Sequence, residues 1–157
     1  MEGLAPLLHL PVIKELGRER LPERTPENSG QFRRAILNEQ VEQEKQLESY
    51  LSDRSTVDCW AIWSRWEICS ARVEDTELFY NDAKAQALNY SHIVYVPPMF
   101  AIEGDGSRWA NSDYQKQIDR NIRTTLWEWG LAEKTYTITS AVQKDRVEEV
   151  TNWLLDL

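Results

Sequence analysis

The sequence has little of what builds membrane spans or polyanion-binding surfaces. No run of 18 uninterrupted apolar residues occurs, so no membrane span is predicted. Lys and Arg together number 18 against 26 Asp and Glu, which gives a net charge of −8. This balance argues against nonspecific nucleic-acid binding, because that binding needs cationic side chains to displace counterions from phosphates. It still permits a small anionic ligand in a local basic pocket.

Cysteine and histidine are scarce as well, with two of each in 157 residues. Cys59 and Cys69 fall on predicted helix and are interpreted as reduced packing residues, which favours a cytoplasmic setting. The N-terminus has no cationic segment leading into an apolar one, so no signal peptide is predicted. With only His9 and His92 to add, a Cys/His zinc site is not expected. We therefore predict no structural metal.

Strand-like and helix-like segments alternate along the chain. The predicted strands are 10–17, 50–53, 92–97 and 134–139, and the predicted helices are 31–49, 56–73, 75–89, 113–129 and 140–155. This order predicts an α/β fold, a mostly parallel sheet with helices on both faces. A length of 157 residues suits a single domain, over residues 1–157. In such sheets ligands bind beyond the carboxyl ends of the strands.

The first long helix is predicted to be amphipathic, with an apolar face toward the core and an acidic face toward solvent. The apolar face comprises Phe32, Ile36, Val41 and Leu47, and the acidic face comprises Glu39, Glu42, Glu44 and Glu48.

The most informative segment is Asp53-Arg54-Ser55, at the end of the second predicted strand. Asp53 can hold Mg²⁺ through water or accept a proton from a substrate hydroxyl. Arg54 can neutralise phosphate charge, and Ser55 can add a hydrogen bond. Phosphoryl transfer requires little more than these functions and an aligned nucleophile. An ordinary helix cap, with Ser55 as N-cap and Asp58 in the first turn, explains the segment equally well.

Two further segments are candidate parts of the same site. Glu15 and Arg18 follow the first predicted strand, where they could orient a substrate or form a surface ion pair. The Gly-rich loop over residues 99–112 follows Pro97-Pro98 and carries Arg108. Such a loop has the layout of a lid that closes over phosphates, or of an exposed connection.

Seven tryptophans are many for this length, and three of them have helical spacing. Trp60, Trp63 and Trp66 could stack on a base or a nicotinamide ring. A core or interface stripe is the favoured interpretation, because aromatic stripes of this kind are usually packing surfaces. The stripe also leaves a homodimer open.

The order of these motifs resembles the nucleoside- or nicotinamide-riboside-kinase-like branch of the AAA-family ATPases, a group of P-loop kinases. The resemblance rests on Glu15-x-x-Arg18, Asp53-Arg54-Ser55-x-x-Asp58, the strand before Pro97-Pro98, Asp-Gly-x-Arg108 and the long helix that follows. It implies ATP and Mg²⁺ as cofactors and a small hydroxylated molecule as phosphoryl acceptor.

The resemblance also implies a role for each candidate residue. Asp53 would be the Mg²⁺-associated carboxylate or the base. Glu15, Arg18 and Arg54 would face the acceptor. Arg108 would be the lid arginine, and the second candidates for that role are Arg120 and Arg123. A non-catalytic binding or assembly module on the same fold is the alternative function.

The sequence departs from this family in its glycines. A P-loop kinase carries G-x-x-x-x-G-K-[ST] after a central strand, and none of the six glycines here precedes a lysine. Leu4, Leu7 and Leu8 are similar to the tail of the helix that follows such a loop. A truncated start, a strand supplied by another segment or chain, and a degenerate relative would each explain this. We expect two half-sheets with unpaired inner edges and weak ATP binding.

Overall fold

A computed structural model of the chain describes residues 3–99 and 112–156. The elements alternate in the predicted order. The helices are α1 Leu4–Leu8, α2 Leu16–Glu19, α3 Ser29–Lys45, α4 Thr56–Trp66, α5 Val73–Ala87, α6 Ser112–Glu128 and α7 Gln143–Leu155, and the strands are β1 Val12–Ile13, β2 Leu51–Ser52, β3 Ile93–Tyr95 and β4 Thr135–Thr137. Within these ranges no helix has the length and apolar character needed to cross a bilayer.

The four strands form two parallel pairs, β1 with β2 and β3 with β4, in separate sheets. The N–H groups of Leu51 and Asp53 donate to carbonyls of the β1 segment at 2.9 and 2.8 Å. By strand alternation, the backbone groups of Ser52 point to the other edge of that sheet. The carbonyl of Tyr95 accepts from the β4 segment, so the groups of Val94 likewise point away. The expected α/β fold and its division into two half-sheets are confirmed for the described residues.

Several predicted boundaries were wrong. The strand predicted over 10–17 has two residues, and Gly17 lies inside α2 because the chain turns at Glu15, the residue before that helix. The helix predicted over 56–73 ends at Trp66, where a turn leads into α5. β3, predicted to be buried, leaves Val94 37% exposed, because strand alternation directs this side chain to the less covered face.

The larger apolar core lies among α3, α4, α5 and α6. Phe79 is fully buried, and its ring stacks on Trp63 with centroids 4.2 Å apart. Trp60 packs edge-on against Tyr80, and Trp66 lies against Tyr114. The three tryptophans of α4 therefore pack between helices, and the favoured interpretation of a packing stripe is confirmed.

A second, smaller core joins α1, α7 and the end of β4 around Leu4, Ile138 and Val150. Gly3 lets α1 approach α7, because a Cβ added there would lie 2.6 Å from Cγ2 of Val147. The helical start that the leucines of residues 4–8 predicted is thus present and packed.

The two cysteines lie in different surroundings. Cys59 is partly buried against the larger core, whereas Cys69 is exposed in the turn after α4, so it is not the packing residue that was expected. Burial raises the pKa of the Cys59 thiol to about 12, and the charges of Asp58 and Glu44 act in the same direction.

We predict one fast-reacting thiol per native chain. Titration with a chromogenic disulfide reagent at pH 8 should modify Cys69 at once and Cys59 only on unfolding, because the thiolate is the reactive form. Cys69→Ser should abolish the fast phase. Two equally fast thiols in the wild type would contradict the placement of Cys59.

Candidate functional site

The candidate site lies where β1 and β2 end side by side. Glu15 follows β1 and is the N-cap residue of α2, which carries Arg18 on its first turn. Asp53 follows β2, and its N–H donates to the carbonyl of Ile13 on β1 at 2.8 Å. Because the two strands are parallel, their carboxyl ends bring Glu15, Arg18 and Asp53 to the same edge of the sheet.

Arg54 joins the elements at this edge. Its guanidinium lies 3.2 Å from a carboxylate oxygen of Glu15 and 3.2 Å from one of Asp58. Glu15 also forms an ion pair with Arg18, whose Nε lies 3.6 Å from a carboxylate oxygen of Glu15. The structure therefore brings together four of the residues that the sequence singled out, and it adds Asp58 as a second anchor for Arg54.

The backbone at Arg54 is strained, since this non-glycine residue has a φ of 121°. Such a conformation costs about 1–3 kcal/mol and persists only where neighbouring contacts fix it, often at functional sites. The side chain keeps 44% of its surface exposed. Desolvation by nearby atoms opposes its charge, but Asp58 and Glu15 outweigh that effect and raise the pKa of Arg54.

Ser55 and Asp58 form a capping box at the start of α4. The Ser55 hydroxyl donates to Asp58 at 2.8 Å, and the Ser55 N–H donates to the same carboxylate oxygen at 2.9 Å. The helix-cap interpretation is therefore correct for Ser55. It does not account for Arg54, which reaches across to β1. The segment thus starts a helix and presents a cation at the sheet edge.

A buried polar cluster lies behind this segment, and the sequence interpretation missed it. Glu44 is 2% exposed and accepts hydrogen bonds from Gln40 at 2.6 Å, Gln86 at 2.7 Å and the Tyr90 hydroxyl at 3.0 Å. The prediction that Glu44 faces solvent is wrong, because Glu44 is seven residues after Leu37 and shares its buried stripe. That spacing is the signal that could have revealed it.

The predicted lid falls mainly outside the described residues, and so does Arg108. Of the alternative lid arginines, Arg120 is exposed, and Arg123 pairs with Asp119 on its own helix at 3.3 Å. Arg123 borders a cleft of about 450 Å³ between α6 and the β3–β4 sheet. Across the described ranges, no hydrogen bond or ion pair joins Arg120 or Arg123 to the cluster at Arg54.

Comparison with known proteins assigns the family. The family model described as "AAA domain" matches residues 2–144, which is most of the chain. The chain belongs to the AAA domain family. Among curated proteins none matches it.

A solved structure supports the same fold for this AAA domain. The chain is similar to the structure of deoxyadenosine kinase from M. mycoides with products dCMP and a flexible dCDP bound. The TM-score is 0.66 and the sequence identity is 12%. The match covers 99% of this chain and 91% of that one. At this identity the likeness shows the fold alone. The predicted membership of the AAA family is confirmed, and so is the predicted P-loop-kinase-like fold.

None of the described glycines lies in the motif that cradles nucleotide phosphates. A nucleotide triphosphate needs a glycine-rich loop whose N–H groups cradle the phosphates. In this AAA domain Gly3 is packed against Val147, Gly30 lies near Glu67, and Gly130 has a φ of 68° just after α6. Among the described residues no group of three carboxylate, histidine or cysteine side chains could hold a metal.

Proposed function

We propose that this AAA domain is kinase-like or ATPase-like and transfers a phosphoryl group to a small hydroxylated acceptor, which binds at the edge where β1 and β2 end. The observation that carries the proposal is the Arg54 guanidinium held between Glu15 and Asp58. Carboxylates on both sides keep this cation charged and oriented, so a substrate oxygen meets a fixed donor. If water attacks in place of the acceptor, the same residues serve a hydrolase.

Each residue has a proposed role. Asp53 is exposed beside Arg54 and serves as the base, or as the carboxylate that holds Mg²⁺ through water. Glu15 and Arg18 bind and orient the acceptor. Ser55 uses its proton on Asp58 and keeps a lone pair that can accept from an acceptor hydroxyl. Arg108 is the proposed lid arginine.

Nucleosides are the first acceptor class to test, because the similar solved structure is a deoxyadenosine kinase. Calorimetric titration of the 157-residue chain with ribo- and deoxyribonucleosides, in the absence of ATP, would test the acceptor site directly. We expect saturable binding of at least one hydroxylated compound, and weaker binding when Arg18 is replaced by glutamine. No binding across nucleosides and simple sugars would contradict the proposed acceptor site.

We also expect the 157-residue chain to bind ATP poorly. Backbone N–H groups of a glycine-rich loop and its lysine supply much of the phosphate affinity in P-loop proteins, and the sequence contains no such motif. Calorimetry with Mg²⁺-ATP should give no binding in the micromolar range. We infer from this that phosphoryl transfer is impaired in this chain, and micromolar affinity would overturn that inference.

The second candidate function is a non-catalytic binding or assembly module. The absent motif and the two separate strand pairs favour it. The stripe on α4 is a poor dimer surface, because Trp63 is 3% exposed and Trp60 packs into the core. Light scattering that shows a dimer, together with no acceptor binding, would favour the module.

Genomic sequence upstream of Met1 that encodes a strand and G-x-x-x-x-G-K-[ST] in frame would favour the enzyme.

A further inference from the structure

The carboxylate of Glu44 is costly to keep where it is. Its side chain is 2% exposed, and its hydrogen-bond donors are neutral groups of Gln40, Gln86 and Tyr90, with the Tyr50 hydroxyl as a further neutral neighbour. Burial of a carboxylate without a cation is unfavourable. Glu44 also lies in the last turn of α3, where the helix dipole disfavours negative charge. An apolar residue would fill this position at lower cost, so the carboxylate has a use beyond packing.

The contacts of this cluster lead to both ends of the strained segment. Gln40 donates to Glu44 and also to the Ser52 hydroxyl at 2.7 Å, directly before Asp53. Tyr90 donates to Glu44 and accepts from the backbone N–H of Thr56 at 3.0 Å, directly after Ser55. One side chain therefore links Glu44 to each residue that flanks segment 53–55. Gln40 links it to Ser52, and Tyr90 links it to Thr56.

We propose that Glu44 is the positioning residue of the Asp53-Arg54-Ser55 segment, which it holds at both ends through Gln40–Ser52 and Tyr90–Thr56. The positive φ of Arg54 requires contacts that fix it, and the strand pairing at Asp53 supplies only one of them. Burial and the charge of Glu44 raise the pKa of Tyr90, so its hydroxyl stays a donor to Glu44. The effect of this positioning on acceptor binding rests on the proposed acceptor site, but the contacts that position the segment do not.

Amide hydrogen exchange of Glu44→Gln tests the proposal. The Thr56 N–H bonds to Tyr90 and reports one arm directly. We expect its exchange to become about tenfold faster, because a charged acceptor is lost from the cluster. The Ser55 amide and the Arg54 guanidinium signals in NMR spectra should shift as well. Glu42→Gln, an exposed change on the same helix, is the matched control and should leave all three unchanged.

Comparison with the buried amide of Val150, which lies on α7 in the smaller core, separates positioning from general loss of stability. Equal acceleration at Thr56 and Val150, with unshifted Arg54 signals, would mean that Glu44 only stabilises the fold and would overturn the proposal. If Glu44→Gln does not fold, Tyr90→Phe cuts the Thr56 arm alone. The Ser55 amide and the Arg54 guanidinium signals are then the readout, because the Thr56 N–H loses its acceptor directly; unshifted signals would overturn the proposal. Nucleoside titration of the same samples keeps the two proposals apart. A local change at Thr56 without any acceptor binding would support positioning and contradict the acceptor site.

Discussion

Replacement of Arg54 by glutamine should weaken acceptor binding by about 10- to 100-fold. The variant loses the charge-assisted hydrogen bonds that an acceptor oxygen would receive, each worth about 1.5–3 kcal/mol, and 1.4 kcal/mol corresponds to tenfold. It also leaves Glu15 and Asp58 without the cation between them, so two like charges face the ligand. Calorimetry with a nucleoside that binds the wild type would measure the change.

Arg72→Gln is the matched control for this experiment. Arg72 is a 77% exposed arginine that pairs with Asp75 at the start of α5, away from the sheet edge. Its replacement should leave acceptor affinity unchanged. The melting temperatures of both variants show whether each remains folded. Equal affinity of Arg54→Gln and wild type would remove Arg54 from the site and leave the capping box as the sole role of its segment.

Replacement of Phe79 by alanine should lower the free energy of unfolding by about 3–5 kcal/mol, the usual loss for a fully buried aromatic ring. Phe79 is 0% exposed and packs against the rings of Trp63 and Trp60, with the Arg34 guanidinium 5.9 Å from its ring centroid. Since a domain of this kind is stable by about 5–15 kcal/mol, this one change would remove a large share of the total. Urea unfolding followed by tryptophan fluorescence would measure it.

The neighbouring residue provides the control. Leu78 lies on the same helix and is 53% exposed, so Leu78→Ala should cost less than about 0.5 kcal/mol. Similar losses for the two variants would mean that α5 does not present Phe79 to the helical core. That result would also weaken the placement of α4, whose Trp63 is stacked on the same ring.

Phe79 and Arg54 lie at opposite ends of the contacts that hold α4. The stack of Phe79 on Trp63 holds α4 against α5 at its far end, and the Glu44 cluster holds α4 at its near end through Thr56. Arg54 lies two residues before that near end. Replacement of Phe79 should therefore disturb the position of Arg54 through α4, whereas replacement of Arg54 should leave the packing of the core unchanged.

Much of the fold was predictable because it depends on local pattern. Apolar periodicity gave the order of strands and helices, and the cap at Ser55 was visible as Ser-x-x-Asp. The strand ends were less predictable, since a two-residue strand leaves almost no alternation to detect. The candidate site was partly predictable, because strand-end residues of neighbouring parallel strands must meet.

Asp58 and Glu44 show where local pattern fails. Asp58 pairs with Arg54 four residues earlier, but the same aspartate serves the cap, and the sequence does not show that one side chain does both. Glu44 is of a residue type that usually faces solvent. Only the packing of α4 and α5 against α3 covers it and brings Gln86 and Tyr90 from more than 40 residues away.

The sequence by itself determined the alternation of strands and helices, the strand-end position of Asp53-Arg54-Ser55 and the lack of a glycine-rich phosphate loop in these 157 residues. Each of these depends on neighbours along the chain. The tertiary structure alone decided that Arg54 pairs with Glu15 across the sheet edge and that Glu44 is buried behind the site. The reason is physical: these features arise from residues distant in sequence, whose contacts form only when the helices pack.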